Sequence, residues 1–297
     1  MADLITSARA KYNINQASFT TDENSTIAAL ITACSQAIVR HCKREFVSQQ
    51  YDELYNGVND RRLTLNRFPI ISVARVAYSP TTVLRIINTS ASNQRATVAV
   101  TSTGLSLTRV ASGTSSTDTS VTWGTYATLG QVATAVSALG NGWSATVADG
   151  AYTNRASADL RAVQGALNAL NVQAYLRMHV MELSDYEVDA NHGWLVRGVA
   201  SLEVQDAFND PLLPTWFGGI DFWRVIYTAG FATVPEDVQE ACAEWVAMLF
   251  WQTKRDPGVT SESIPGAVSH VLAQGIPEHL QALLAPYRDH KMRITGG

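Results

Sequence analysis

Charge is scarce in this sequence. Only 16% of its 297 residues are Asp, Glu, Lys or Arg, and the formal net charge is −4. A general nucleic-acid binder or a polybasic membrane-surface protein carries a basic excess, so composition argues against both classes. Lysine is nearly missing: Lys11, Lys43, Lys254 and Lys291 are the whole set among 22 basic side chains. Arginine supplies the rest, and its planar fork suits fixed bidentate contacts to carboxylate or phosphate. Cysteine is as rare. Cys34, Cys42 and Cys242 are odd in number and sit on apolar, helix-like faces, which excludes a disulfide framework and predicts buried free thiols in a reducing compartment. No apolar run approaches the roughly 18 residues expected of a membrane-spanning helix. The opening MADLITSARAKYNINQ has no charged stretch leading into an apolar one, so a signal peptide is not expected.

The usual signatures of chemistry are missing too. There is no phosphate-cradling glycine loop, no dinucleotide fingerprint, no nucleophile elbow, no zinc-protease helix and no paired-cysteine motif. His41, His179, His192, His270, His279 and His290 are scattered without second ligands at helical spacing, and are read as solvated or core-edge histidines. Glu236, Asp237, Glu240 and Glu244 are read as first-turn and wet-face charges that favour a helix N-terminus, not as an acid–base pair. Trp216, Phe217, Phe222, Trp223 and Tyr227 are read as core and interface aromatics. No catalytic residue, metal site or cofactor is expected, and the chain is not expected to be an enzyme.

What is present is enough apolar material, 46% of residues, for a real core. The chain divides into three parts by composition. In residues 1–84, a short helix is expected near Leu4–Tyr12 and a strong amphipathic one over 22–44. Ile27, Leu30, Ile31, Cys34, Ile38 and Cys42 recur there at helical spacing, behind a capping box of Thr20 and Glu23. Strands follow at QQYDELY, RRLTLNR and PIISVARVAY.

Residues 85–185 change style, becoming rich in Ser, Thr and Gly and nearly free of Lys and Glu. Strands are expected at ATVAVT, LSLTRV and WSATVA, and a short helix at LGQVATAVSALG ended by Gly140. A second helix is expected at SADLRAVQGALNALN, from Leu160, Val163, Leu167 and Leu170 at helical spacing. VQAYLRMHV alternates, with Val172, Ala174, Leu176, Met178 and Val180 facing one way.

Residues 186–297 return to the earlier style. A hairpin turning at Asn191–Gly193 and a strand FWRVIYTAG lead to a helix capped by Thr233 and Glu236, with Pro235 in its first turn. Val238, Cys242, Trp245 and Leu249 form its stripe, and Lys254 and Arg255 complement its C-terminal end. DPGVTSESIPG is expected to be a flexible loop. A last helix starts near Pro277, carries Leu280, Leu283, Leu284 and Tyr287, and is stopped or kinked by Pro286. The fold class that follows is α+β. A helical bundle core built from both chain ends packs with a small antiparallel sheet, and residues 85–185 interrupt it as an inserted α+β module.

Four segments in the outer parts carry a family likeness: DLITSARAKYNI with DENSTIAALITACSQAIVRHCKREF; DELYNGVNDRRLTLNRFPIISVARV; VIYTAGFATVPEDVQEACAEWVAMLFWQTKRD; and IPEHLQALLAPYRDHKM. In order and spacing they resemble the head-to-tail connector (adaptor) proteins of tailed bacteriophages, over about 190 residues. Residues 1–84 and 186–297 are then a discontinuous connector core, and 85–185 an insertion that a minimal connector lacks, placed on the outside or rim of the ring.

The resemblance implies a structural virion protein of the neck beneath the portal vertex, made in the host bacterial cytoplasm. It implies self-association into a ring of twelve copies, with the portal protein on one side and tail or stopper proteins on the other. Double-stranded DNA would pass through the lumen without sequence-specific binding, and no membrane would be involved. It also implies a partner interface at the C-terminal helix and tail: Pro286, Tyr287, Arg288, Lys291 and Arg293. The alternative is another virion component, a capsid-surface or tail protein, using the inserted module to bind glycan or capsid.

Overall fold

The computed structural model describes residues 3–163, 165–197, 215–254, 261–262, 270–271 and 275–288. The chain opens with α1 (Ser7–Ile14) and α2 (Thr21–Cys42), then runs through β1 (Gln49–Tyr55) and β2 (Arg62–Thr64) into the long β3 (Ile70–Asn88). Next come β4 (Asn93–Val100), β5 (Leu105–Ala111), β6 (Thr114–Asp118), α3 (Leu129–Ala138), β7 (Trp143–Val147), β8 (Leu167–Asn168) and β9 (Ala174–Glu182). The hairpin of β10 (Glu187–Asp189) and β11 (Trp194–Val196) precedes β12 (Trp223–Ala229) and α4 (Glu236–Thr253). The ladder of β13 (Ser261–Glu262) and β14 (His270–Val271) and the helix α5 (Glu278–Leu284) complete the described elements. Among the described residues the ladders between named strands are antiparallel, with isolated parallel bridges at Val47–Phe231 and Asn88–Leu170, and the class is α+β.

The helical layer follows from two periodic stripes. α2 begins at a complete capping box, in which the Thr20 hydroxyl accepts from Glu23 N–H and the Glu23 carboxylate accepts from Thr20 N–H. Ile27, Ile31, Cys34, Ile38 and Cys42 are buried along one side of α2, and Val238, Cys242, Trp245, Val246 and Phe250 along α4. These residues, with Ile14 of α1 and Leu280 and Leu284 of α5, form one apolar cluster. Ile31 and Trp245 thus share a core although they come from opposite ends of the chain. Each such large side chain contributes about 1.5–3 kcal/mol by leaving water.

The acidic face of α4 anchors its neighbours. Arg9 of α1 pairs with Glu236 at 2.6 Å and Glu240 at 3.0 Å, and His279 of α5 meets Glu244 at 2.9 Å. α4 starts differently from expectation. Pro235 is its N-cap with an extended ψ, and Thr233 makes no cap; Glu236 is spent on Arg9 instead of reaching back.

Lys254, at the C-terminal end of α4, pairs with Glu23 in the first turn of α2. That ion pair first, and the Thr20 N–H second, hold the Glu23 carboxyl down at about 2 against an ordinary 4.5. The depressed value means a stabilisation present above pH 4.5 and lost as pH falls toward 2. Lys254→Met is therefore expected to flatten the acid limb of a stability–pH curve measured by denaturant unfolding. An unchanged limb would show that this pair carries none of it.

Cys34, Cys42 and Cys242 are buried free thiols in this layer, as expected. Burial pushes Cys34 up to about 12, and Cys42 and Cys242 up to about 11. Since the thiolate is the reacting form, native protein in mildly alkaline buffer should resist iodoacetamide, and all three thiols should react once it is unfolded. Alkylation of the native chain at the rate of free cysteine, read by mass spectrometry, would contradict this packing.

The strand–glycine–helix turn after β12 is architectural. Gly230 has φ +114°, and a Cβ there would lie 2.6 Å from the Val47 carbonyl oxygen. Its N–H donates to Pro69 O, and Phe231 N–H donates to Phe46 O at 3.1 Å. Only glycine lets β12 cross so close to the 46–48 segment before α4 begins.

The main sheet has the order β1-β12-β3-β7, with β9 on β3. β3 is longer than its sequence motif. Its first half pairs with β12, its last residues with β7, and β9 pairs over both. The composition boundary at 84/85 falls inside this strand. Val76 of β3 enters a core with Trp216, Trp223 and Tyr227, while Val83, Leu84 and Ile86 enter another with Val98, Leu107, Val132, Val136, Leu176 and Met178. A second sheet, β6-β5-β4-β8, closes over the latter core with α3.

Several local expectations need correction. α1 begins at Ser7, where Thr6 caps it, not at Leu4; Leu4 and Ile5 are buried ahead of the helix. The helix expected at SADLRAVQGALNALN does not form. A 3-10 turn over Ser157–Asp159 gives way to extended chain, in which Val163 N–H donates to Val100 O and Ala169 N–H to Ala96 O. Gly165 and Asn171 have positive φ, and edge pairing with β4 replaces helical hydrogen bonds. Leu160 is buried, and Val163, Leu167 and Leu170 pack on the module core, so their spacing marks a buried edge. In β9, Ala174, Leu176 and Met178 are buried, whereas Val172 precedes the strand and is exposed. Within the expected loop DPGVTSESIPG, Ser261–Glu262 pair as β13, and the rest lies outside the described residues, as does Arg255.

Candidate interaction surfaces

The C-terminal interface expected from the resemblance is described only in part. Pro286 and Tyr287 lie in a 3-10 turn, Ala285–Tyr287, that ends α5. Tyr287 faces inward. Its ring meets Phe46 and Phe231 edge-on at 5.8 and 5.9 Å, and its hydroxyl donates to Asp237 at 2.8 Å. Burial first, and then Asp237, push the phenol upward, so it stays a neutral donor. Tyr287 is accordingly an internal anchor, whereas Pro286 and Arg288 are exposed. Lys291 and Arg293 lie outside the described residues. The structure therefore sets Tyr287 apart from Pro286 and Arg288, a difference that an exposed-tail reading of the sequence does not give.

A second surface arises where residues 157–182 meet the main sheet. Arg224 of β12, 6% exposed, makes a bidentate pair with Asp52 of β1 at 2.8 and 2.6 Å and donates to the Asp159 carbonyl. Arg75 of β3 joins Asp159 at 2.8 Å and Glu182 at 2.7 Å, and Arg161 pairs with Asp221. His179 is wholly buried beneath the same loop, its Nε2 3.0 Å from the Asp221 carbonyl oxygen. The expectation of a solvated or core-edge histidine fails there, because the loop at Asp221 covers the outward face of β9. Burial first, and the guanidiniums of Arg224, Arg161 and Arg75 after it, lower the imidazole's pKa against the pull of the carbonyl. The neutral ring then carries its proton on Nε2 and donates it, since a carbonyl can only accept. This ionic seam joins the 159–182 segment to β1, β3, β12 and the loop at Asp221. Its sequence signal was an arginine inside each apolar strand, VARVA and FWRVIY, where a solvated charge does not belong.

Beside the seam lies a solvent-open cleft of about 930 Å³, walled by β1, by β9 and by the extended segment before β8. Its carboxylates are engaged within the protein: Asp52 by Arg224, Asp221 by Arg161, and Glu53 by the hydroxyls of Tyr55 and Tyr227 and the amide of Asn66. The aromatic run has mostly gone inside. Trp216, Trp223 and Tyr227 are fully buried, and Phe217 is partly exposed.

Among the described residues, no group of three or more His, Cys, Asp or Glu side chains lies close enough to hold a metal ion, and no helix is long and apolar enough to cross a membrane. The chemistry on display is hydrogen bonding and ion pairing that hold elements together.

No family model matches the chain, and no curated protein matches it. Among solved structures, it is similar to a chain of the "Virion of native gene transfer agent (GTA) particle", at 12% identity and TM-score 0.34, and to a chain of the "Neck of empty GTA particle computed with C6 symmetry", at 12% identity and TM-score 0.37. Each comparison covers 99% of this chain and 93% of the other. At those scores the correspondence is loose.

Proposed function

We propose that this chain is a non-enzymatic structural subunit of the neck of a tailed-phage-like virion, one member of a ring that joins the portal to the tail and lets DNA pass through its lumen. One observation carries the reading. The segments that resemble connector proteins lie at opposite ends of the sequence, yet α1, α2, α4 and α5 bury their apolar faces in one cluster, and the glycine turn ties that cluster to β12. A subunit that repeats head to tail around an axis needs such a rigid body with two unlike sides. On this reading residues 1–84 and 186–297 are the core. Residues 85–185 are an insertion at its rim, braced by β3 and the ionic seam. A lumen without a basic lining would release phosphates instead of holding them.

The portal contact would be made by Pro286, Arg288, Lys291 and Arg293, with Tyr287 holding their base in place. Particles carrying a chain lacking residues 286–297 should accumulate as heads and tails that do not join, seen by electron microscopy. Because that deletion also removes the Tyr287 anchor, Arg288→Glu with Lys291→Glu and Arg293→Glu is the companion variant. Normal joining in that triple variant would remove the C-terminal assignment. Label on capsid faces, with none at the portal vertex, would favour the capsid-surface alternative over a neck role.

A further inference from the structure

We propose that the cleft between β1, β9 and the segment before β8 binds a neutral oligosaccharide, with the Tyr175 ring as its platform and Glu53 and Arg177 as the acceptor and donor that orient it. Three observations carry this. The first is charge balance. Three carboxylates line the cleft, those of Asp52, Glu53 and Asp221. Against them stand the guanidiniums of Arg161 and Arg177 in the wall and of Arg224, which donates to both Asp52 oxygens. Three negative groups meet three positive ones, so the cleft favours neither a polyanion nor a polycation.

The second is what internal pairing leaves open. The hydroxyls of Tyr55 and Tyr227 and the amide of Asn66 all donate to Glu53 Oε2. That carboxylate is thereby fixed, while its Oε1 accepts from no donor among the described residues. Asp221 Oδ1 is open in the same way, because Arg161 takes Oδ2. On the donor side, Arg177 is exposed and unpaired among the described residues. Asn168 gives its carbonyl oxygen to Leu170 N–H and keeps its NH₂ to donate. Open acceptors and open donors therefore share one cleft, and a sugar hydroxyl serves both, since it donates one proton and accepts at its lone pairs. The third is the apolar surface. The Tyr175 ring is 52% exposed, and Leu54, Val163 and Leu167 are partly exposed in the wall. A pyranose turns C–H bonds to one face, and a tyrosine ring meets them with a flat apolar side and a polar tip. The volume of about 930 Å³ falls within the usual range of small-ligand pockets, and the opening to solvent lets a short chain of sugar rings run out into water. A nucleic acid would need an excess of cations to meet successive phosphates. A free amino acid would satisfy Glu53 and Arg177 and leave the tyrosine face unused.

Binding of this kind is a property of the purified chain and stands whether or not the protein belongs to a neck. Saturation-transfer NMR titrations with maltotriose, cellotriose and chitotriose test it. Spermidine, triglutamate and free glutamine are the cationic, anionic and zwitterionic controls. Saturable binding of at least one trisaccharide is expected, unchanged as salt rises because the ligand carries no charge to screen. Arg177→Gln should weaken it about tenfold, the scale of a hydrogen bond from a charged donor. Tyr175→Ala should weaken it about fivefold, the scale of one aromatic face. Both positions are exposed, so both variants should keep the parent's unfolding midpoint. Failure of all three trisaccharides to bind, or a Tyr175→Ala or Arg177→Gln variant that binds as well as the parent, would overturn the proposal. Equal or tighter binding of a control with the same Tyr175 dependence would assign the cleft to a charged or zwitterionic ligand and overturn it too.

Discussion

Trp223→Ala is expected to cost about 3–5 kcal/mol, the range for emptying a buried Trp site, and to be the most damaging single truncation in the sheet. Trp223 is fully buried on β12, the strand held between β1 and β3. Its ring stands 4.8 Å from Trp216 and 5.0 Å from Tyr78, with Phe217 and Phe222 at 5.7 and 5.8 Å. Its indole N–H also donates to Phe217 O at 2.7 Å. Truncation therefore removes apolar burial, several ring contacts and a hydrogen bond together, in a place where neighbouring strands leave little freedom to collapse. Trp223→Phe keeps part of the volume and should fall well short of that loss. Urea unfolding followed by circular dichroism measures both. A shift in midpoint with an unchanged slope is the expected form. A loss under about 1 kcal/mol for Trp223→Ala would contradict the packing described for this cluster.

Arg224→Ala is expected to come second, at about 2–4 kcal/mol, somewhat under the usual cost of breaking a buried ion pair because one partner is half solvated. Arg224 has 7% of its side chain exposed, whereas Asp52 has 48%, so water takes up part of the abandoned carboxylate's demand. The Asp159 carbonyl loses its donor as well. Replacing the pair as a whole, Arg224→Met with Asp52→Leu, should recover much of the loss, since apolar contact can substitute for a buried pair but not for half of one. The position of the seam also fixes where the damage appears. Amide exchange should rise around Asp159–Arg161 in Arg224→Ala, while α2 and α4 keep their protection. Uniform exchange loss across the helices would show that Arg224 supports the whole fold and not only the contact of the Asp159 loop with β1 and β12.

The sequence made some of this legible for a plain reason. α2 and α4 obey a helical period over many residues, and their stripes, the α2 capping box and the glycine turn are local features, so local reading finds them. The same reading failed where the deciding contact is distant. Leu160, Val163, Leu167 and Leu170 satisfy helical spacing, but pairing with β4 and the positive φ of Gly165 and Asn171 outweigh it. His179 falls among the outward residues of β9 and looks wet until the loop at Asp221, distant in sequence, is seen to lie on it. The Arg224–Asp52 pair joins residues 172 apart, which no window of local pattern spans. The family resemblance groups Tyr287 with an exposed tail, but its ring points inward, because that depends on Phe46, Phe231 and Asp237 from other parts of the chain.

The proposed function requires that this body repeat around an axis and seat on a portal. Native mass spectrometry of the purified chain, alone and mixed with the portal protein, tests it most directly. A closed oligomer of fixed copy number on the portal is expected, twelve copies on the connector resemblance. A chain that stays monomeric and unbound under both conditions, while folded by circular dichroism, would contradict it.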